Sequence, residues 1–307
     1  MTRAGRCLSS AVRIGIAAAV VSLVAAATAD GRAVDGGATR AAAATTVPTV
    51  VAAGDISPRR LENQRATANL VLRLAPTRVL TLGDQQYDAG RLADYQAYYG
   101  PTWGRFKAIT SPVPGNHEYD TLGAAGYFDY FGAAAGTPGQ GYYSFDLGGW
   151  HLVALNSNIA YDPGSEQEIW LRRDLAETSK RCVLAYWRHP RFSSGSTYGD
   201  DSRLAPFWTD LSAVRADIVL NGHEHNYERF GPQTPDAVGD PRGIREFVVG
   251  TGGAGLYPFG PPTANSQQRI TGQHGVLHVT LNPTSYQWKF VAVDGTVLDR
   301  GGPVACH

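Results

Sequence analysis

Short apolar runs that end in polar residues alternate with stretches of helical spacing along the first half of the chain. The runs Val50–Ala53 and Arg78–Leu82 predict strands, and apolar residues three and four positions apart predict helices over Leu61–Leu74 and Leu92–Tyr99. A third run, Ser111–Pro114, leads into Gly-Asn-His-Glu. Strands that alternate with helices in this way predict β-α-β units and a largely parallel sheet.

The second half of the chain combines both kinds of pattern. The runs Tyr142–Asp146 and His151–Asn156, separated by two glycines, predict a hairpin. Helices and strands then alternate at Glu166–Glu177, Val183–Trp187, Leu204–Val214 and Ile218–Leu220. The last runs have no helical stretch between them and predict an antiparallel set: Phe247–Val249, Gly275–Leu281 and Tyr286–Val293. Because no repeat and no second linker interrupts these elements, we predict a single domain over residues 48–307.

The N-terminus has the three parts of a secretory signal peptide. Three arginines precede the apolar run Ile14–Ala27, and Ala27-Thr28-Ala29 supplies a cleavage site with small residues. A membrane anchor is the alternative, but a run of ~14 apolar residues is short of the ~20 that a spanning helix needs. We therefore expect residues 1–29 to direct secretion, residues 30–47 to form a flexible lead-in, and the mature protein to be extracellular.

Composition and charge narrow the possible partners. Hydrophobic residues make up 43% of the 307 residues, enough for a sizeable core, while the formal net charge is zero. This balance gives no electrostatic reason to expect nucleic acid or an anionic membrane as a partner. The sequence does not indicate an oligomeric state.

Two cysteines remain after removal of the predicted signal peptide, Cys182 and Cys306. In an oxidising compartment they would pair and tie the C-terminal tail to an internal strand. The alternative is two free thiols, with Cys182 filling a core position. We expect the disulfide, because a cysteine next to the C-terminal residue has little other use.

Five segments carry residues that can bind metal directly after a predicted strand. In an open α/β sheet, ligands bind outside the carboxyl ends of the strands, so these segments are expected to converge on one crevice. Taken singly, each has a simpler explanation: a Gly-Asp is more often a turn or a helix cap. Chance does not readily produce five such segments, each directly after a predicted strand. The segments are Gly54-Asp55, Gly83-Asp84-Gln85-Gln86-Tyr87, Gly115-Asn116-His117-Glu118, Arg188-His189-Pro190 and Gly222-His223-Glu224-His225.

These motifs, in this order, resemble those of the calcineurin-like metallophosphoesterases, and within them the purple acid phosphatase branch. Many members of the superfamily have His two residues after the first Asp; this chain has Ser57 there and carries Tyr87 instead, as the purple acid phosphatases do. The resemblance covers roughly residues 50–293. It implies an α/β fold, a four-layer α/β/β/α sandwich with two mixed sheets and a dinuclear metal site at the strand ends.

The resemblance also implies roles for individual residues. Asp84 would bridge two metal ions, Fe, Mn or Zn, and Asp55, Tyr87 and His225 would complete the first site. Asn116, His223 and a histidine of the His-Pro segment, here His189, would hold the second ion. His117 would face the substrate, a small phosphate ester, and protonate or stabilise the leaving alkoxide. A metal pair of this kind clamps the attacking and leaving oxygens of an in-line displacement.

The chain departs from the family pattern at Arg188, where a metal-binding histidine is expected. Arginine stays protonated and cannot coordinate a metal ion. Either His189 substitutes through a shifted loop, or the second metal is weakly held and Arg188 grips substrate phosphate as a bidentate donor. Side chains alternate along an extended strand, so His189 is expected to face away from Arg188. We therefore favour loss or weakening of the second metal site.

Three functions remain open at this stage: a phosphomonoesterase, a phosphodiesterase that uses the same site, and a non-catalytic phosphate- or ligand-binding homologue. Only Arg188 favours the last. The Gly-rich segment Gly250–Gly255 fits the spacing of a dinucleotide-binding loop. It is followed by Leu-Tyr-Pro-Phe-Gly-Pro-Pro, which cannot form the required helix, so that reading fails.

Overall fold

The computed structural model describes residues 46–307, so the predicted signal peptide and nearly all of the lead-in lie outside the described residues. The strands in this range are β1 (Thr49–Ala53), β2 (Arg78–Leu82), β3 (Thr110–Val113), β4 (Tyr143–Leu147), β5 (Trp150–Ala154), β6 (Cys182–Trp187), β7 (Ile218–Asn221), β8 (Tyr227–Phe230), β9 (Arg245–Val249), β10 (Ser266–Ile270), β11 (Gly275–Asn282), β12 (Ser285–Ala292) and β13 (Val297–Ala305). The α-helices are α1 (Glu62–Leu74), α2 (Leu92–Asp94), α3 (Asn116–Tyr119), α4 (Ala125–Phe131), α5 (Glu166–Glu177) and α6 (Ala205–Ala213). Further helical turns lie at Tyr95–Tyr99, Trp103–Ile109, Leu122–Ala124, Gly132–Ala135 and Ser202–Leu204.

The strands form two mixed sheets, in agreement with the fold class that the motifs imply. The order is β13-β12-β11-β1-β2-β3 in the first sheet and β10-β8-β9-β7-β6-β5-β4 in the second. Strands β1, β2 and β3 run parallel, as do β5, β6, β7 and β9. Antiparallel strands extend each sheet at its edges. The parallel strands of both sheets therefore place their carboxyl ends where loops can meet.

Both faces of the central strands are buried. In β5, Leu152 packs into one apolar cluster with residues of the first sheet, while the neighbouring Val153 packs into another with α5 and α6. Residues of α1 join the first cluster, which includes β1. Apolar side chains on both faces explain why these strands read as continuous hydrophobic runs rather than alternating ones. The layers are a helix layer, two sheets and a second helix layer.

The predicted helices and the hairpin are confirmed. Helix α5 begins and ends where its pattern predicts, and Ser165 caps it by accepting a hydrogen bond from the Glu168 amide at 3.3 Å. Strands β4 and β5 pair antiparallel as the predicted hairpin. The parallel arrangement predicted for the first half is confirmed in β1, β2 and β3.

The predicted antiparallel set is wrong in one of its members. Strands β11 and β12 pair antiparallel, but the run at Phe247–Val249 belongs to β9, which lies in the other sheet and runs parallel to β7. The local pattern shows that a strand is buried and leaves open which partner it pairs with. Strands β8, β10 and β13 were not predicted, because their alternation is weak or broken by glycine and proline.

The expected disulfide is present. Cys182, in β6, is bonded to Cys306, which follows β13, so the bond joins the two sheets across 124 residues of chain. No helix of the described part of the chain is long and apolar enough to cross a membrane.

Candidate metal centre

The five motif loops meet at the carboxyl ends of β1, β2, β3, β6 and β7. Backbone hydrogen bonds join loops within each sheet, from the Asp55 amide to the Gly83 carbonyl at 3.2 Å and from the Gly222 amide to the Arg188 carbonyl at 3.0 Å. A bond from the His223 amide to Asp55 Oδ2, at 2.9 Å, joins the two sheets. The predicted convergence of the loops on one crevice therefore holds for the described structure.

The Tyr87 hydroxyl is the centre of a group of four donor atoms. It lies 2.8 Å from Asp55 Oδ1, 3.1 Å from Asp84 Oδ2 and 3.1 Å from His225 Nε2. His225 Nε2 lies 2.9 Å from the same Asp55 oxygen. Ligands that bind a metal at about 2.0–2.2 Å lie about 3 Å apart along the edges of its coordination shell. These separations fit one metal ion.

The tyrosine is essential to this group. Among residues 46–307, three donor atoms from Cys, His, Asp or Glu lie within 4.8 Å of one another only at Cys182, Asp217 and Cys306, and these two cysteines are disulfide-bonded. Asp55, Asp84 and His225 are brought together instead through the phenol oxygen.

The orientation of His225 also suits a metal ligand. Its Nδ1 donates a hydrogen bond to the Gly255 carbonyl at 2.5 Å, which leaves the lone pair on Nε2 directed at Asp55 and Tyr87. Histidines that bind metal commonly donate their other ring N–H to a backbone carbonyl in this way. The carbonyl belongs to the Gly-rich segment that resembled a dinucleotide loop, so that segment contributes to the metal centre instead.

The electrostatics of the group favour a cation. Burial, together with the negative charges of Asp55 and Asp84, raises the pKa of Tyr87 well above its usual value. The phenol therefore stays protonated unless positive charge is placed beside its oxygen. A bound metal ion provides that charge and deprotonates its ligands. The chain's first donor set thus fits a metal ion.

Arg188 reaches into the same centre from β6. Its Nη1 donates to Asp55 Oδ1 at 2.6 Å, its Nη2 donates to Asp84 Oδ2, and its Nε donates to Asn116 Oδ1 at 3.3 Å. The side chain is buried, with 1% of its surface exposed. The guanidinium therefore joins three motif loops, and two of the groups it contacts, Asp84 and Asn116, are expected ligands of the second metal ion.

The charge of Arg188 acts together with burial on the groups around it. Burial acts to raise the pKa of Asp55, but the positive charges of Arg188 and His225 outweigh it and hold that pKa well below its usual range. Burial and the charge of Arg188 together lower the pKa of His223 strongly and that of His189 to about 3. Both imidazoles are therefore neutral near Arg188.

His189 does not take the place of the expected histidine. Its Nδ1 lies 2.7 Å from the Ser157 hydroxyl, and its ring packs edge-on against His223 with 4.4 Å between ring centroids. This agrees with the expected alternation, which turns His189 away from Arg188. The ring of His223 stacks on Tyr198, and its Nδ1 has no hydrogen-bond partner within residues 46–307.

His117 borders the centre from the third loop. Its amide donates to Asp84 Oδ1 at 3.1 Å, and its ring Nδ1 donates to the Asp88 carbonyl at 2.5 Å. That bond leaves Nε2 turned towards Asp84, 3.9 Å from Oδ2. The ring is 30% exposed, so it is accessible from solvent while the carboxylates beneath it are not.

Two buried glutamates hold the loops, and sequence reasoning missed this role. Glu118 accepts hydrogen bonds from the amides of Gly115, Asp84 and Gln86 at 2.7–3.1 Å. Glu224 accepts from the amides of Tyr198 and Gly199. Each stands at the position after a motif histidine, and that repeated placement is the one signal that could have identified the pair.

Backbone strain is concentrated at the expected ligands. Asp55, Asp84 and His223 have φ values of 60°, 48° and 73°, in the left-handed region that non-glycine residues seldom adopt. Such strain persists where the surrounding structure imposes it and is characteristic of functional sites. Gly115 permits this arrangement, because a Cβ there would lie 2.0 Å from Asp84 Oδ1.

The model of the calcineurin-like phosphoesterase family matches residues 48–227, which include all five motif loops. The chain belongs to the calcineurin-like phosphoesterase family. Its relatives place it on the purple acid phosphatase-like branch of that family. Purple acid phosphatase 15 of Arabidopsis thaliana is 34% identical over 169 residues, which are 49% of this chain and 32% of that protein. Probable purple acid phosphatase 20 of the same plant is 26% identical over 234 residues, which are 66% of this chain and 54% of that protein.

Solved structures of this calcineurin-like phosphoesterase fold agree. Purple acid phosphatase PPD1 from yellow lupin seeds superposes with a TM-score of 0.67 at 20% identity, covering 83% of this chain and 53% of that chain. GAP50 of Plasmodium superposes with a TM-score of 0.63 at 14% identity, covering 85% and 89%. At these identities the likeness shows the fold alone. The chain spans about a quarter to a half of the length of the curated relatives it matches.

Proposed function

We propose that this chain is an exported, metal-dependent phosphoesterase that hydrolyses small phosphate monoesters. The observation that carries the proposal is the convergence of Asp55, Asp84 and His225 on the Tyr87 hydroxyl, at separations that suit one metal ion. The bound ion would act as a Lewis acid and lower the pKa of a coordinated water. Its identity, Fe, Mn or Zn, is open, and the tyrosine ligand favours ferric iron.

His117 is the proposed proton donor to the leaving group. Its Nδ1–H is fixed on the Asp88 carbonyl, so Nε2 is the ring atom left free to hold and transfer a proton, which it carries when the ring is an imidazolium. Its partly exposed ring covers the buried carboxylates, a position from which it can reach the ester oxygen of a bound substrate. General acid catalysis by an imidazole in such a position contributes about 100-fold to 10,000-fold in rate.

A neighbouring cavity supports a small leaving group. It has a volume of about 360 Å³ and borders His223, with His189, Tyr198 and Arg203 among its lining residues. Glu224 holds one side of this cavity through the amides of Tyr198 and Gly199. A pocket of this size beside His223 suits the single organic group of a monoester.

The test compares 4-nitrophenyl phosphate with bis(4-nitrophenyl) phosphate as substrates. We expect faster turnover of the monoester and loss of both activities in Asp84→Asn. Preference for the bis ester would identify a phosphodiesterase instead. Equal activity of the wild type and Asp84→Asn would reject the site.

Arg188 favours a second candidate function, a phosphate- or ligand-binding protein without turnover. The guanidinium engages the two aspartates that a catalytic metal site needs. Binding of inorganic phosphate, measured by calorimetry, together with absence of turnover at every metal tested, would support this candidate. Ordinary turnover would exclude it.

Export is part of the proposal and has separate support. The Cys182–Cys306 disulfide suits an oxidising compartment. We expect the full-length chain, expressed in a secreting host, to reach the medium with its N-terminus after Ala29. Retention of the intact N-terminus inside the cell would contradict this part.

A further inference from the structure

We propose that the Arg188 guanidinium takes the place of the second metal ion, so that this phosphoesterase binds one metal ion and uses the arginine as its second, permanent cation. The inference rests on the proposed function in that it concerns the same site. It differs from that function in predicting how many metal ions the chain holds.

The first argument is the set of groups that Arg188 contacts. The guanidinium donates to Asp84 and Asn116, two of the groups expected to bind a second ion, and also to Asp55, which is expected to bind the first. Of the ligands expected for the second ion, His223 and His189 are not bonded to the arginine, and His189 Nδ1 lies on the Ser157 hydroxyl instead, which leaves His223. Metal sites in proteins generally use three or four protein ligands. One imidazole is too few for a stable second ion.

The second argument is the way the arginine side chain is seated. A Cβ on Gly83 would lie 2.6 Å from Arg188 Cδ, and a Cβ on Gly222 would lie 3.1 Å from Nη1. The stem and the head group therefore pass between two glycine backbones, with 1% of the residue exposed. A metal ion could enter only if this buried side chain moved out of the space between the two glycines, which it fills closely.

The third argument is charge. Two buried carboxylates need positive charge nearby, because an unpaired buried carboxylate is strongly unfavourable. In a dinuclear site two metal ions supply that charge. Here the guanidinium supplies part of it permanently, and one metal ion beside Tyr87 and His225 supplies the rest. Arg188 is thus a positioning residue, which fixes Asp55 and Asp84 for the first ion.

This arrangement changes what the site can do. A guanidinium donates hydrogen bonds and carries charge, but it has no lone pair and no coordination sphere. It cannot polarise a water as a metal ion does. Only the Tyr87 side of the centre therefore retains metal chemistry, and Arg188 compensates charge without depending on metal supply.

The experiment measures metal content directly. The intact, oxidised mature protein is loaded with excess iron, manganese or zinc, separated from free metal, and analysed by plasma mass spectrometry. We expect about one ion per chain for the wild type and about two for Arg188→His, which restores a ligand. Two ions in the wild type would overturn the proposal, as would one ion in a folded Arg188→His.

Two control variants distinguish the effect of the Arg188 charge from the effect of an added metal ligand. Arg188→Gln removes the charge without adding an imidazole ligand and is expected to hold the second ion less completely than Arg188→His. Arg203→His places a new histidine beside the neighbouring cavity, where Arg203 is exposed, and is expected to leave the metal content unchanged. Two ions in Arg203→His would contradict the assigned role of Arg188.

Anomalous scattering from crystals of the metal-loaded wild type gives a result that does not depend on any variant folding. One peak beside Tyr87 and His225 supports the proposal, and a second peak beside Asn116 and His223 rejects it. Failure of the Arg188 proposal can be distinguished from failure of the proposed function. Two ions with ordinary turnover reject only this inference, whereas one ion without turnover on any phosphate ester rejects only the function.

Discussion

The Tyr87 side chain bears on which metal ion the centre binds. Its oxygen contacts two carboxylates and one imidazole, and burial together with the two carboxylates raises its pKa. We expect the iron-loaded protein to show a purple charge-transfer band and Tyr87→Phe to lose it, with metal affinity lower by about 10-fold or more. Absorption spectra and metal titrations measure both effects.

Tyr99→Phe is the matched control for this prediction. Tyr99 is also fully buried, and its hydroxyl has no partner within residues 46–307. The control variant should keep both colour and affinity. A colourless, iron-free preparation with full activity would contradict the assignment of Tyr87 as a ferric ligand.

His117 provides a second residue-scale prediction. If its Nε2 donates a proton to the leaving oxygen, its loss matters most for poor leaving groups. We expect His117→Asn to slow hydrolysis of glycerol phosphate about 100-fold, and that of 4-nitrophenyl phosphate much less, because nitrophenolate leaves without protonation. The measurement is kcat for each substrate, with metal content checked. An equal loss for both would show that His117 acts by positioning rather than by proton transfer.

His151 links β5 to β4 and to α5, and the stabilisation from these contacts depends on pH. It lies in β5 and contacts Asp146 of β4 at 2.9 Å and Asp174 of α5 at 2.8 Å. Burial acts to lower the pKa of His151, but hydrogen bonds to Asp174 and Asp146 outweigh it and raise the pKa. Because the folded pKa exceeds the unfolded value of about 6.5, the stabilisation is present below that value and is lost as pH rises through the folded pKa.

We therefore expect His151→Gln to lower the free energy of unfolding by about 1–2 kcal/mol at pH 5.5 and by less at pH 9. Urea denaturation at the two pH values measures the difference. His278→Gln is the control, and its pH dependence should not match that of His151→Gln. The reason is that the pKa of His278 is shifted in the opposite direction: burial and the charge of Lys289 lower it to about 4. An equal loss at both pH values for His151→Gln would contradict the ion-pair account.

At the scale of elements, the sequence predicts where helices and strands lie better than it predicts which strands pair with one another. Helix α5 was predicted to the residue because its cap and spacing are local signals. Strand β9 was assigned to the wrong set, since an apolar run of three residues does not encode whether it pairs with β7 or with β11. Strand β13 was missed because glycines and a proline interrupt its pattern.

The same limit applies to the site. The motif loops were predictable because each ligand follows its strand directly in sequence. The geometry of Arg188 was not predictable, because it depends on how far a side chain of one sheet reaches between loops of the other. Glu118 was also missed as a loop anchor, since its partners include amides more than 30 residues away.

At the scale of the whole molecule, the disulfide joins the second sheet to the C-terminal end of the first. It closes a long loop, and bonds of this kind typically contribute about 2–4 kcal/mol. We expect Cys306→Ser to lower the free energy of unfolding by about that amount, measured by denaturant titration under oxidising conditions. In reductant, the wild type should approach the variant. No difference between the two under oxidising conditions would show that the bond does not contribute to stability.

The central claim, that a metal ion held through Tyr87 supports phosphoester hydrolysis, is tested most directly by chelation and add-back. The purified protein is stripped with a chelator, metal is returned in measured steps, and phosphate release from 4-nitrophenyl phosphate is followed at each step. We predict loss of turnover on stripping and recovery in proportion to bound metal, complete at about one ion per chain. Full turnover after stripping, or no turnover at any metal content, would contradict the account.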